Sequence, residues 1–450
     1  MNCAYAYAAA SHADTCLAEH FQKQKALTLN CMWRANTADR LSRNTAAAWN
    51  RHCRRFAAHR PHCATCFATA SGIAGPLSRR AVFKYRLAMD TKINLLDLSL
   101  DELRGFIAEL REPRFRAEQV WQWMWQKGVS DFEEMSNVSK ALRGKLAEHA
   151  VIRPPTIDTV RESDDGTVKF LLRLADGALI ETVLLPSRTH YTQCLSTQVG
   201  CAMGCAFCST GTMGLARNLA HSEICGQVLL GRKWLEQKNS QDKGERSLRN
   251  LVFMGMGEPL MNYDTLVKSL HTLRDDKAFG FSSRRMTVST AGVPGRMTEL
   301  VTSGLARLAV SLHAPTQELR ERIMPRAARM HPLPALMEEL KKLPLRPQER
   351  TTFEYILIGG LNDTQQHARE LVRLLSHVRA KINLIACNPA KDSPFAAPTM
   401  EAIEAFQQVL RDKGLVAMLR KSKGQDIEAA CGQLVTQKQK EQARTEQADA

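Results

Sequence analysis

The chain has 450 residues, 44% of them hydrophobic and only 6% aromatic, with 62 Lys/Arg against 46 Asp/Glu and a formal net charge of +16. That length supports a sizeable core and more than one folded unit, and no run approaches the roughly 18 to 20 uncharged apolar residues of a membrane helix. A helical membrane protein is excluded, a cytoplasmic one with no membrane partner is expected, and an anionic partner is invited, although net charge alone does not identify nucleic acid.

The charge is uneven along the chain. Residues 1–88 hold 13 Lys/Arg against 3 Asp/Glu and six of the 13 cysteines, with no sustained helix or strand period. Such a composition fits an Arg-rich, acid-poor transit peptide, or an upstream start that is not used. Met89-Asp-Thr-Lys-Ile-Asn-Leu-Leu begins as a soluble protein would, so 1–88 is expected to be a disordered or untranslated extension. Cys63-x2-Cys66 with His59 and His62 resembles a zinc knuckle, but no second ligand pair follows at finger spacing, and it reads as chance.

Residues 89–152 read as a small helical domain. Ser99 and Glu102 form a capping-box pair ahead of Leu103, Phe106, Ile107 and Leu110 on one face. A second helix, from Phe115 to Trp125, puts Val120, Trp121, Met124 and Trp125 on its core side, with Gly128 as a stop. Trp123, Arg114 and Arg116 remain for a surface, where an RNA-stacking face and a plain solvated face are both open. Within 153–188 the period changes to two, and Thr167–Leu174, the Asp176-Gly177 turn and Ala178–Leu185 predict a β-hairpin extension.

From residue 189 to 435, strands alternate with helices. Strands are predicted at 191–199, 251–254, 286–290, 307–312, 353–358 and 382–387, with 416–420 as a late addition. Helices are predicted at about 222–237, 263–275, 296–303, 316–324, 333–342, 364–376 and 399–413. Six β-then-α units with right-handed crossovers imply an α/β fold built on a partial (β/α)6 TIM-like barrel, with chemistry at the C-terminal strand ends. Residues 436–450 read as a polar disordered tail.

The motifs fall at those strand ends. Cys201, Cys205 and Cys208 make a C-x3-C-x2-C triplet with no fourth ligand at a recognisable spacing. Three thiolates there suit a 4Fe–4S cluster with one iron open, while a zinc site and incidental buried thiols stay open on spacing alone. Seven cysteines outside the extension, an odd number, argue against a disulfide framework and for a reducing compartment.

With Phe207 directly before Cys208, the triplet resembles the cluster loop of radical S-adenosylmethionine (SAM) enzymes, and Gly255-Met-Gly257-Glu258-Pro259 resembles their glycine-rich SAM-binding strand end. Gln198-Val-Gly-Cys201, Arg217-Asn-Leu219, Ser311-Leu-His-Ala-Pro315, Ala386-Cys-Asn-Pro389, Cys194 and the Cys431-Gly-Gln-Leu434 segment resemble the RlmN/Cfr family of RNA adenine methyltransferases. The resemblance spans residues 91–435.

It implies several things. A 4Fe–4S cluster sits on Cys201, Cys205 and Cys208 with SAM on the open iron. SAM is bound by Gly257, Glu258, Ser289, Ser311, Leu312, His313 and Asn388, although for His313 a structural imidazole touching the cofactor only through its backbone also stays open. Cys431 carries the methyl group as S-methylcysteine, a SAM-derived radical activates it for addition to the adenine ring, and Cys194 resolves the covalent adduct through a transient disulfide. Glu181 is the implied proton acceptor, with a positioning carboxylate as the alternative. The implied substrates are 23S rRNA and tRNA, methylated at adenine carbon 2. The implied partners are an external flavodoxin- or ferredoxin-like electron donor, with the enzyme itself a monomer. The sister activity at carbon 8 shares these motifs, and a non-catalytic zinc RNA-binding protein is the alternative from another class. Cys225 and Cys387 read as small buried thiols.

Overall fold

The computed structural model describes residues 92–242, 246–389, 394–430 and 432–434. The 1–88 extension with its Cys63/Cys66 pair, the proposed start at Met89, the 436–450 tail and Cys431 itself lie outside the described residues.

The N-terminal unit contains β1 (Ile93–Asn94), α1 (Leu100–Glu109), α2 (Arg116–Trp125), α3 (Lys140–His149) and β2 (Ala150–Val151), with β1 and β2 paired in parallel. The capping box forms as expected. Ser99 Oγ accepts from Glu102 N at 3.3 Å and Glu102 Oε2 accepts from Ser99 N at 2.8 Å. On α2, Val120, Trp121, Met124 and Trp125 are fully buried, which matches the apolar stripe in the sequence. Trp123 is half-buried, and its indole N–H donates to Asn137 Oδ1 at 2.6 Å, so its polar edge is satisfied within the domain. This unit packs on the barrel through Ser222 N, which donates to Asp97 Oδ1 at 3.0 Å, and through the edge-on Trp125–His221 ring contact, centroids 5.7 Å apart.

A three-stranded antiparallel meander follows, β3 (Thr156–Glu162), β4 (Val168–Arg173) and β5 (Leu179–Pro186). The sequence signals only the last two strands. The meander is continuous with the barrel, because β5 pairs antiparallel with β6 (His190–Cys194). A small ribbon of β7 (Gln198–Gly200) and β8 (Leu215–Asn218) stands apart. The main sheet continues through β9 (Ser247–Phe253), β10 (Met286–Thr290), β11 (Arg307–Ser311), β12 (Thr351–Leu357), β13 (Ala380–Ala386) and β14 (Val416–Arg420). Its ten strands run in the order β14-β13-β12-β11-β10-β9-β6-β5-β4-β3, and every pairing from β6 to β14 is parallel.

The crossovers are α4 (His221–Asp242), α5 (Tyr263–Arg274), α6 (Arg296–Ser303), α7 (Gln317–Ile323), α8 (Pro325–Met330), α9 (Leu333–Lys341), α10 (Gln365–Leu375) and α11 (Met400–Asp412). Phe253, Val288, Val310, Phe353 and Ile382 on the strands are completely buried, as are Leu270, Leu300, Leu336, Leu371 and Phe406 on the helices. Parallel strands covered on both faces read as continuous apolar runs, which is why they are visible in sequence.

The segment 191–199, predicted as one strand, breaks after Cys194. Leu195 N still bonds Val252 O at 2.8 Å, but Thr197 N turns to Met256 O, also at 2.8 Å. This break peels the chain off the sheet and starts the ribbon that carries the cysteine loop.

Candidate active site

The cysteine loop is closed at its base by the β7–β8 ribbon. Gly200 has φ +74°, and a Cβ there would lie 1.9 Å from Gly214 O, so no other residue fits. Cys201 N donates to that same carbonyl at 2.7 Å. The loop rests on α7 and α8, where Ala206 N donates to Ile323 O at 2.9 Å and Arg326 Nη1 donates to Ala202 O at 2.9 Å.

Cys201 is buried, and Cys205 and Cys208 are half-buried. Burial pushes the Cys201 thiol up to about 12 and the Cys205 thiol well above its ordinary value. No disulfide joins these cysteines to one another. A single zinc ion would need its ligands about 2.0 to 2.3 Å from one point. Three thiols on one loop with no fourth ligand at a recognisable spacing suit a cluster, in which each thiolate binds a separate iron.

Beside the loop, the ends of β9 to β12 make a buried polar edge. Gly257 has φ +100°, and a Cβ there would meet the Gln198 Cβ at 2.5 Å. Gln198 Oε1 accepts from Glu258 N at 2.8 Å. The Glu258 carboxyl is buried and accepts from Leu260 N at 3.0 Å and from Ala291 N at 2.7 Å, which ties the end of β9 to the end of β10. Burial raises its pKa against those two hydrogen bonds. Its side chain is thus committed to the fold.

Ser289 Oγ donates to Glu354 Oε2 at 2.7 Å and lies 3.4 Å from Ser311 Oγ. Leu312 is fully buried, and its N–H and that of His313 donate to Glu354 O at 3.0 and 3.3 Å. His313 adopts φ +60°, its Nδ1 accepts from Ile356 N at 3.0 Å, and its ring meets Phe207 edge-on at 5.0 Å. Burial, and secondarily Arg320, hold its pKa down to about 3, so the ring is neutral. The His313 side chain therefore serves the fold. Asn388 at the end of β13 is half-buried, donates to Ser422 Oγ at 2.6 Å and accepts from Gln425 Nε2 at 2.6 Å.

Three residues escaped the sequence reading. Glu354 is a buried carboxyl in the middle of β12, and its Oε1 has no hydrogen-bond partner among the described residues. Arg320 is fully buried, donates through Nη2 to Ala291 O at 2.6 Å, and leaves Nε and Nη1 without partners among the described residues. Burial lowers its pKa to about 10. Orphaned groups of both signs beside the cysteine loop fit a zwitterionic ligand such as SAM. A lone charge in a strand otherwise without one was the available signal for Glu354. Nothing distinguishes Arg320 from Arg322 in sequence.

The third is Lys169 on β4, whose Nζ lies 3.3 Å from Glu181 Oε1, with both side chains about 95% buried. Glu181 sits on β5, two residues from Val183, the register partner of Cys194 on β6. Directly paired antiparallel residues share a face, so Lys169, Glu181 and Cys194 all lie on one side of the sheet. The C-terminal segment reaches this face. Lys169 Nζ donates to Glu428 O at 3.1 Å, Ser163 Oγ to Asp426 Oδ1 at 2.6 Å, and Gly424 N to Asp165 Oδ2 at 3.0 Å. At its other end the segment joins the cysteine loop, where Ser209 N donates to Gly432 O at 2.7 Å and Thr210 Oγ1 to Leu434 O at 2.6 Å.

Most of the chain is similar to known proteins. A profile described as the ribosomal RNA large subunit methyltransferase N-terminal domain matches residues 93–152, and the Radical SAM superfamily profile matches residues 195–375. The dual-specificity RNA methyltransferase RlmN of Nitratidesulfovibrio vulgaris (strain DP4) is 58% identical over 347 residues, which is 76% of this chain and 94% of that protein. The RlmN of Lawsonia intracellularis is 51% identical over 350 residues, 76% of this chain and 97% of its own. That of Geobacter sulfurreducens is 44% identical over 346 residues, 77% of this chain and 93% of its own. Among solved structures, a radical SAM methyltransferase from Sphaerobacter thermophilus aligns with a TM-score of 0.72 at 40% identity, covering 76% of this chain and 99% of that one.

Proposed function

The chain belongs to the RlmN family of radical SAM RNA methyltransferases, and from that premise we propose that it methylates carbon 2 of an adenosine in 23S rRNA and of an adenosine next to the anticodon in tRNA. Membership sets aside the non-catalytic zinc-protein reading. The observation that carries the proposal is the double anchorage of the 424–434 segment, on the Lys169–Glu181 pair at one end and on the residues after Cys208 at the other.

Carbon 2 of adenine carries no nucleophilic lone pair, so direct displacement on a methyl donor is not open to it. Cys201, Cys205 and Cys208 would hold a 4Fe–4S cluster, and Gly257, Glu258, Ser289, Ser311, Leu312, His313 and Asn388 would hold SAM beside it; together these groups would supply the methyl group and the one-electron chemistry. Cys431 carries the methyl carbon as a thioether and presents it to the base. Glu181 accepts the proton lost from the ring carbon, on the face of the sheet that also carries Cys194. The Cys194 sulfur attacks that of Cys431, the sulfur–carbon bond breaks towards the methylated base, and the resulting disulfide is reduced by an external flavodoxin- or ferredoxin-like donor. The protein works as a monomer in the cytoplasm.

Mass spectrometry of nucleosides from rRNA and tRNA of a deletion strain tests the assignment. Loss of 2-methyladenosine from both is expected, and loss of 8-methyladenosine instead would overturn the regiochemistry in favour of the carbon-8 activity. Cys431→Ala is expected to lose the SAM-derived methyl label from the protein, and Cys194→Ala to accumulate a protein–RNA crosslink.

A further inference from the structure

We propose that Glu354 is a SAM-binding residue that takes the hydroxyls of the cofactor's ribose, so that the nucleoside end of SAM is read by a carboxylate on β12 as well as by the serines of β10 and β11. The inference rests on the reading of this site as a SAM pocket.

Glu354 is the single charged residue of β12, a strand buried at all seven of its positions. It stands in direct register with Ser311, and its Oε2 accepts from Ser289 Oγ at 2.7 Å, so the three side chains form one row across adjacent strands. One carboxylate oxygen is thereby satisfied, while Oε1 is buried with no donor among the described residues. A buried polar atom without a partner costs free energy that a well-packed strand has no reason to bear. Replacing this glutamate by an apolar residue would remove the cost, unless a ligand completes the set.

The ligand must supply donors, and SAM has three groups of them, its ammonium, its ribose diol and its adenine amino group. The family resemblance of the glycine-rich end of β9 implies that it holds the ammonium, whereas Glu354 lies three strands further along the sheet, beyond β10 and β11. That separation leaves the ribose and the adenine amino group, and a carboxylate flanked by the Ser289 and Ser311 hydroxyls suits a pair of adjacent hydroxyls better than one amine. A vicinal diol presents two adjacent O–H donors, which a carboxylate accepts well, and acidic side chains serve ribose hydroxyls in other nucleotide sites for this reason. Ser289 and Ser311 can donate or accept, so they adjust to whichever hydroxyl stands beside them.

The test is equilibrium binding of labelled SAM to the cluster-loaded full-length protein under anaerobic conditions, independent of turnover. Glu354→Gln and Glu354→Ala are expected to weaken SAM about 10- to 100-fold, the range for a hydrogen bond to a charged group. The 2′-deoxy and 3′-deoxy analogues of SAM are expected to bind the unaltered protein more weakly than SAM does, and to lose that handicap in the variants. Unaltered protein that binds both analogues as tightly as SAM would overturn the inference even if neither variant folded. So would variants that penalise the analogues as the parent does. Unaltered protein that binds no SAM at all would overturn the underlying SAM-pocket reading instead, and the inference with it.

Discussion

Ser209 donates its backbone N–H to the Gly432 carbonyl at 2.7 Å, joining the residue after Cys208 to the residue after Cys431. A second bond, from Thr210 Oγ1 to Leu434 O at 2.6 Å, runs alongside. The C-terminal segment is thus held mainly by hydrogen bonds, those to Lys169 and Asp165 included, with Ala429, Ala430 and Leu434 as its small buried apolar contribution. Few buried contacts make a segment that can open at low cost without unfolding the barrel, which suits a residue that must receive a methyl group, meet RNA and form a disulfide in turn.

Gly432→Ala should separate docking from folding. Gly432 has φ +84°, and an added Cβ would stand 3.3 Å from Phe207 O. A non-glycine residue held there costs about 1 to 3 kcal/mol, enough to undock a weakly held segment but not to unfold the barrel. The expected result is normal cluster absorbance and an unchanged melting temperature, with methyl transfer slowed about tenfold or more. Transfer at the parent rate would show that docking in this conformation is not needed.

The Lys169–Glu181 pair lends itself to a double-mutant cycle. Both side chains are about 95% buried and 3.3 Å apart. Removing one partner from a buried pair leaves an uncompensated charge and costs about 3 to 5 kcal/mol, whereas removing both is far cheaper. Lys169→Met should therefore be strongly destabilising in urea unfolding, and Lys169→Met with Glu181→Gln should recover much of the loss. Additive losses would mean that the two groups do not interact. Activity should not recover with stability if Glu181 is the proton acceptor.

Glu258→Gln addresses the glycine-rich strand end. Its carboxyl accepts two backbone N–H bonds, from Leu260 and Ala291, on different oxygens. A glutamine has one acceptor oxygen, so one amide is orphaned and the side-chain NH2 is pressed against it. A loss of about 2 kcal/mol is expected from thermal or urea unfolding, together with weaker SAM binding, because the ends of β9 and β10 are no longer tied. A fully stable Glu258→Gln protein would contradict the clamp.

Much of this architecture is legible in the sequence because local signals and burial coincide. β10, α6 and β14 occupy the positions expected from periodicity, at 286–290, 296–303 and 416–420, and α6 is bracketed by Gly295 and Gly304, both at positive φ. β3 escaped because it is an edge strand with almost every residue exposed, so it carries no apolar alternation to detect. α8 escaped because Pro325 reads as a stop, whereas here it starts the helix at its first position. The cysteines of the site are legible by spacing, but Lys169 and Arg320 are not, and Glu354 shows only as the lone charge of its strand. Their importance comes from burial and from partners on other strands, which periodicity does not report.

His221 offers a pH test of how the helical unit is joined to the barrel. Its ring is buried, packs edge-on against Trp125, and lies between Ser269 Oγ at 3.0 Å and Thr272 Oγ1 at 3.1 Å. Burial, and secondarily Lys268, lower its pKa from 6.5 to about 3. In the unfolded chain it titrates at its ordinary value, so between pH 6.5 and 3 the unfolded state binds a proton that the folded state refuses. Stability from this group is complete above pH 6.5 and is lost as the pH falls, at up to about 1.4 kcal/mol per pH unit. From pH 7.5 to pH 5.0 the loss should reach about 2 kcal/mol. His221→Asn should be less stable at pH 7.5, having lost the Trp125 contact, yet should lose less on acidification, because no buried imidazole then resists protonation. Urea midpoints of the two proteins at both pH values measure this directly. Other buried groups titrate alike in both chains, so the difference in slope isolates His221. Equal slopes would mean that the ring is reached by solvent and that the Trp125 face opens before the rest of the fold.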